Sequence, residues 1–314
     1  MSESTLGSNA RIFVAGHRGL VGSALVRRLQ TEGYGRLLLR THAELDLTRA
    51  APVEDYFREE KPEYVFLAAA RVGGILVNRE KPAEFLRENL LIQTSVLHAA
   101  REAGVRRLVF FGSACLYPRE CPQPMKEESI GTGPMEPTSE AYSTAKMAGL
   151  ALCQAYNRQF GTDFLTVIPA TLYGPQDDFD PATSHVLSGL MRRFHENRQA
   201  STLPVWGTGT PIREFLHVDD LADACLFLMN LEGPCIPVPI NIGTGVGVSI
   251  LDLARKVRET IGGRGDLVPD PTKPDGAPRK VLDTSRMQKL GWRPSIPLDL
   301  GLKRTYEWFL QQQT

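Results

Sequence analysis

Tyr142 and Lys146 stand four residues apart at the start of a helix-like run, so both side chains fall on one helix face. A free phenol titrates near about 10, and an ammonium beside it lowers that value by stabilising the anion. The pair can then give and take a proton near neutrality. Ser113, directly beyond an apolar strand at 105–112, adds a hydroxyl able to bond the same substrate oxygen. Together the three would polarise a carbonyl while a nicotinamide delivers hydride to its carbon. Tyrosine and lysine at this spacing also occur for packing alone; a serine at a strand end and a glycine turn upstream give the pair its weight.

That turn is GHRGLVG, 16–22. An apolar run at 12–15 precedes it and apolar residues at helical spacing follow, so it joins a strand to a helix. Gly16 permits the tight turn, Gly19 lets backbone approach a pyrophosphate, and Gly22 lets helix and strand pack closely, with the helix N-terminus facing the anion. His17, Arg18, Leu20 and Val21 complete the turn. An ordinary glycine-rich turn is the plainer alternative. A second short strand, 37–39, ends in Arg40-Thr41-His42. Cations here suit a 2′-phosphate, so Arg40 and Arg18 favour NADPH over NADH, against Glu44 and Asp46 close by.

The elements that must position these residues alternate. Helices at 52–60, 82–103 and 142–160 separate strands at 64–70, 105–112 and 164–169, which predicts right-handed βαβ units in a Rossmann-type doubly wound parallel sheet. A turn at 72–74 offers further backbone to a cofactor. After 170 the rhythm breaks. Helices are expected at 184–196, after the run 213–220 to about 230, and at 249–261, with a strand-like piece at 205–207 and a polar loop without periodicity at 269–279. The expected division is an NADP-binding domain over 11–170, with 215–240 returning to it, and a smaller, discontinuous α/β substrate-binding domain over 171–214 and 241–314. Its arginines, Trp206 and Asp275 suit a nucleotide sugar, guanidinium on diphosphate and aromatic and carboxylate around base and sugar, although surface arginines and a core tryptophan would read the same way.

Charge balances over the 314 residues, 36 basic against 36 acidic, which argues against a nucleic-acid or polybasic membrane surface and for a small partner. No apolar run reaches membrane-spanning length, and the start, MSESTLGSNAR, lacks the apolar core of a signal peptide. Residues 1–10 are expected to be a flexible tail and the protein cytoplasmic. Cys115, Cys121, Cys153, Cys225 and Cys235 are odd in number and form no C-x-x-C pair, so neither disulfides nor a metal site is indicated.

The glycine turn, Ser113, Tyr142-x-x-x-Lys146 and Leu172-Tyr173-Gly174-Pro175 resemble the extended short-chain dehydrogenase/reductases, which act on nucleotide sugars. Longer runs are similar to the branch of that family that epimerises and reduces GDP-4-keto-6-deoxy-D-mannose: 15–24, 67–75, 112–118, 184–186 with 192–196, 205–220, 240–246 and 273–280. The match extends from about residue 11 to 312. The resemblance implies that Tyr142 gives the proton in ketone reduction, Lys146 supports it, and Ser113 holds the C4 oxygen. It makes Cys115 and His185 the epimerisation pair. Protons at C3 and C5 are both α to the ketone, so a thiolate and an imidazole can remove and return them through an enolate held by Tyr142 and Ser113. It places Arg193, Trp206, Arg213 and Asp275 at the GDP-sugar. Along NADP(H) it places the glycine turn, Arg40, His42, Asp46, Leu47, Ala69, Phe111, Gly112, Ser113, Ala114, Lys146, Pro169, Ala170, Thr171, Leu172 and His185. It also implies a homodimer, with helices 82–103 and 139–160 pairing across a two-fold axis. His42 stands where a second arginine is expected, Thr171 where an asparagine is, and Gln176-Asp177-Asp178 where His-Asp-Asn is. These departures leave a related keto-sugar, such as a 6-deoxy-heptose, as an alternative substrate. A reductase or epimerase performing one step alone is a second hypothesis, and a non-catalytic NADP-binding regulator a third.

Overall fold

A computed structural model describes residues 6–233, 236, 238–273 and 275–313. The chain runs β1 (Ile12–Ala15), α1 (Leu20–Thr31), β2 (Leu37–Leu38), α2 (Ala50–Glu60), β3 (Tyr64–Leu67), α3 (Ile75–Glu80), α4 (Pro82–Glu102), β4 (Arg107–Phe111), α5 (Glu140–Phe160), β5 (Phe164–Pro169) and β6 (Thr171–Tyr173). It continues through α6 (Val186–Glu196), β7 (Thr202–Trp206), β8 (Ile212–His217), α7 (Val218–Met229), β9 (Ile240–Ile242), β10 (Gly247–Ser249), α8 (Ile250–Ile261), β11 (Asp266–Asp270), β12 (Arg279–Lys280), α9 (Ser285–Lys289) and α10 (Leu298–Gln311).

Every residue of β1, β3 and β4 is buried, as expected of strands covered on both faces. They lie in a parallel six-stranded sheet of order β2-β1-β3-β4-β5-β9. Alternate residues feed two cores. Ile12, Val14, Phe66 and Val109 pack on one face, and Phe13, Val65, Leu108 and Phe110 on the other. β2 and β3 flank β1 on opposite sides, so the chain reverses its direction of winding at β1/β3, the place where such sheets bind ligands beyond their strand ends.

The smaller half is organised around β8. It pairs with β6 and β12 in parallel and with β10 antiparallel, while β7 and β11 form a separate parallel pair. Leu187, Phe194, Leu203, Val205, Leu253 and Val257 make its core. Glu214 of β8, 2% exposed, ties the half together, accepting the amides of Gly245 and Leu282 at 2.7 Å each.

Two expectations need correction, and a third is met by a longer strand. Leu6 is 1% exposed, and its amide donates to Asn230 Oδ1 at 3.1 Å, so the expected tail is anchored from there on; residues 1–5 lie outside the described residues. The expected strand at 205–207 occupies β7, ending at Trp206. The polar loop at 269–279 begins in β11 and ends in β12; β11 pairs through its backbone, which needs no apolar side-chain period. Among the described residues no helix is long and apolar enough to cross a membrane, and no group of three or more metal-ligating side chains gathers. Among the described residues Cys115, Cys121, Cys153 and Cys225 are not joined in disulfides, and Cys235 lies outside them.

Candidate active site

A cleft of about 1470 Å³ opens beyond the strand ends of the large sheet, with the smaller half as its other wall. Of the residues singled out in the sequence, only His17 and Arg18 do not line it.

At its floor the turn after β1 is shaped by close approach. Gly16 has φ +83°, and a Cβ there would lie 2.7 Å from the backbone of Ala69, at the end of β3. A Cβ on Gly22 would lie 2.1 Å from the Gly16 carbonyl. Gly19 caps α1 without a side chain, which leaves the helix N-terminus open to the cleft. An extended anion such as a pyrophosphate fits this cradle. At the rim, the Arg40 guanidinium is already engaged: it pairs with Glu60 at 2.7 Å, bonds the Leu39 carbonyl at 3.0 Å and lies 5.1 Å from the centre of the Tyr56 ring. Arg40 thus lines the cleft while held by these partners, and Arg18 is exposed and off the cleft wall. His42 lines the rim instead, 3.8 Å from Asp46.

On the sheet wall, β4 ends at Phe111, and Ser113 begins a short 3₁₀ turn, Ala114–Leu116, by accepting the Cys115 amide at 3.2 Å. The thiol and hydroxyl thus share one turn. α5 brings Tyr142 over them in its first turn and Lys146 one turn later. The Lys146 ammonium donates to the Phe111 carbonyl at 2.9 Å and lies 4.9 Å from the Phe110 ring centre, and burial pulls it down to about 8. Burial pushes the Tyr142 phenol well above its ordinary value, the nearby Cys115 adds to this, and a bond with Ser113 opposes it. Burial here outweighs the lowering expected from Lys146. Its ammonium is 5.9 Å from the tyrosine ring centre and bonded to the strand, so Tyr142 keeps its proton through neutral pH.

His185 is the N-cap residue of α6 and is open to the cleft from the other wall. The protein packed around the ring holds its pKa below the ordinary value, with Asp178 acting the other way. Deeper along α6, Arg193 lies 4.8 Å from the centre of the half-exposed Trp206 ring. Burial lowers the pKa of Arg193 and of Arg213, and Arg193 Nε is buried without a partner. Desolvated guanidiniums of this kind suit a phosphate. Asp275 also lines the cleft; its carboxylate takes the Thr208 amide at 3.0 Å and the Thr208 hydroxyl at 2.7 Å, which ties it to the turn after β7. Arg119 and Lys280 also line this end and were not singled out; Lys280 lay in a motif run and Arg119 in the loop after Ser113, with no spacing to mark either.

The model of the NAD dependent epimerase/dehydratase family matches residues 12–243. GDP-L-fucose synthase 1 of Arabidopsis thaliana is 55% identical over 305 residues, 96% of this chain and 94% of that one. The structure of a GDP-L-fucose synthetase from Naegleria fowleri bound to NADP superposes with a TM-score of 0.91 at 28% identity, over 99% of this chain and 96% of that one. That of a GDP-mannoheptose C4 reductase from Campylobacter jejuni with NADP bound gives 0.88 at 38% identity, over 97% and 99%. With these likenesses added to a glycine cradle at the β1/β3 switch point and a serine, tyrosine and lysine at the end of β4, the chain belongs to the NAD dependent epimerase/dehydratase family, in the branch of the GDP-L-fucose synthases.

Proposed function

We propose that the protein epimerises GDP-4-keto-6-deoxy-D-mannose at C3 and C5 and reduces the C4 ketone with NADPH, giving GDP-L-fucose. The observation that carries this is one cleft holding two kinds of chemistry: Ser113 and Tyr142 to grip a carbonyl oxygen, and Cys115 and His185 to move protons on either side of it. Bound on the glycine cradle, NADPH supplies the hydride. Ser113 and Tyr142 donate to the C4 oxygen and so make the protons at C3 and C5 acidic. Cys115 takes and returns protons from the sheet wall and His185 from the α6 wall. His185, held below its ordinary pKa, is neutral at pH 7 and acts first as a base. Tyr142, protonated through neutral pH, then hands its proton to the C4 oxygen, and the Lys146 cation balances the phenolate left behind. Arg193 and Arg213 take the diphosphate. The GDP-L-fucose synthases among the relatives support this substrate.

The test is to mix protein, NADPH and freshly made GDP-4-keto-6-deoxy-D-mannose in deuterated water. NADPH absorbance should fall, and the product should carry solvent deuterium at both C3 and C5. No oxidation of NADPH sinks the proposal. A second reading, a GDP-linked 4-keto-heptose as substrate, is favoured by the likeness to the mannoheptose reductase and would be preferred if that sugar is turned over faster. The proposal extends to a homodimer built on α4 and α5, whose composition is compatible with a two-fold pairing, and to a cytoplasmic setting, where the described cysteines stay reduced.

A further inference from the structure

Two carboxyl groups that the reaction above does not use sit in the segment leading to His185. Asp178 is fixed at both oxygens, Oδ2 accepting from the Thr183 hydroxyl at 2.5 Å and Oδ1 from the Asp180 amide at 2.8 Å. The amides of Thr183 and Ser184 close the arch on the Asp180 carbonyl at 3.2 and 2.8 Å. The arch is docked in turn on the segment after β3, where Gly74 donates its amide to the Thr183 carbonyl at 3.1 Å. It ends at His185, two residues beyond Thr183, so the backbone that aims the imidazole hangs from the Asp178 carboxylate.

Asp177 is placed the opposite way. It is 8% exposed; its Oδ1 accepts the Asp178 amide at 2.8 Å, and its Oδ2 is buried without a direct bond. Beside it lies Ser188, whose hydroxyl reaches the His185 carbonyl at 3.3 Å. Burial pushes Asp177 up to about 7. The buried carboxyl thus holds its proton toward neutrality, whereas Asp178 is exposed. The cleft that His185 lines also holds Cys115 and Tyr142 from the end of β4 and the start of α5, Arg79 from α3, and Arg192 and Arg193 from α6. Of the charged groups, the Asp178 carboxylate is the one whose field acts on the imidazole, against the effect of burial.

We propose that Asp178 is the positioning residue of His185: held by Thr183 and the Asp180 amide, it fixes the arch that presents the imidazole and supplies the negative charge that lets the ring hold an abstracted proton until that proton is returned to carbon. The value of the arrangement rests on the proton-transfer role given to His185 above. The experiment is an NMR titration of ligand-free protein, with the His185 signal assigned by its loss in His185→Gln. Asp178→Asn keeps the shape and removes the charge, so His185 should bind its proton about threefold more weakly, and the low-pH limb of sugar deuterium exchange should move to lower pH. Asp178→Glu restores the titration. Thr183→Val, which leaves the charge but frees its carboxylate, gives a smaller weakening. An unchanged His185 titration in Asp178→Asn overturns the proposal. A shifted titration in a protein that exchanges no deuterium into the keto-sugar would leave the coupling standing and sink the substrate reading instead.

Discussion

The sheet wall of the cleft takes its functional groups from strand ends and the helix that follows, whereas the opposite wall takes them from arches and turns tied by side chains. Ser113 and Cys115 follow β4 within four residues of its end, and Lys146 is bonded back to the last residue of that strand. Their positions come with the parallel sheet. On the other side His185 depends on Asp178 and Thr183, the turn beside Trp206 on Asp275 and Thr208, and the whole half on Glu214. The difference separates costs: substitutions on the first wall should remove chemistry and leave the fold, and substitutions on the second should move stability and pH dependence.

The largest effect expected is that of Tyr142→Phe, which removes the proton donor from a wall built by backbone. Reduction should fall by about a thousandfold, of the order that general acid catalysis contributes. The melting temperature should hardly move, and deuterium exchange into the sugar should survive. A variant that unfolds instead would erase the contrast. Next comes Glu214→Ala, which strands two amides that now bond its carboxylate in the interior of the smaller half. Left unsatisfied they cost about 2 to 6 kcal/mol together, read as a lower unfolding midpoint, with the NADP(H) dissociation constant affected less than thermal stability. The smallest is Asp177→Asn. Its carboxyl titrates at about 7 when folded, above the ordinary aspartate value of 3.8, so the folded state binds the extra proton, and stability falls as pH rises from about 4 to about 7. The amide mimics the protonated acid and removes that penalty. It should stabilise the protein at pH 8 and have no such effect below pH 3. A gain equal at both pH values would show that packing, not charge, is responsible.

The same division governs what the sequence discloses. The turn from Gly16 to Gly22, Ser113 and the Tyr142, Lys146 pair are legible because a parallel sheet imposes apolar runs, helical spacing and glycine where backbones nearly touch. Chemistry at strand ends can therefore be read by counting. The bond that takes the Lys146 ammonium to the Phe111 carbonyl, and so away from the phenol, is not in that pattern; 35 residues separate the two. In the smaller half the controlling bonds span 67 residues between Thr208 and Asp275 and 68 between Glu214 and Leu282. Such pairings leave no period, which is why β6 and β11 escape a search for alternation and the bonds of Asp275 to Thr208 go unseen. The burial of Leu6 likewise depends on Asn230, at the far end of α7, and nothing near residue 6 announces it.

The near-contact of Gly16 with Ala69 bears on redesign of the enzyme. Because a methyl group at 16 would press on the neighbouring strand, the phosphate cradle is joined to the scaffold and cannot be remodelled as a detachable loop. Attempts to exchange one pyridine nucleotide for the other belong at the solvent edge, at Arg40, His42 and Asp46, where side chains can be traded without parting the strands beneath.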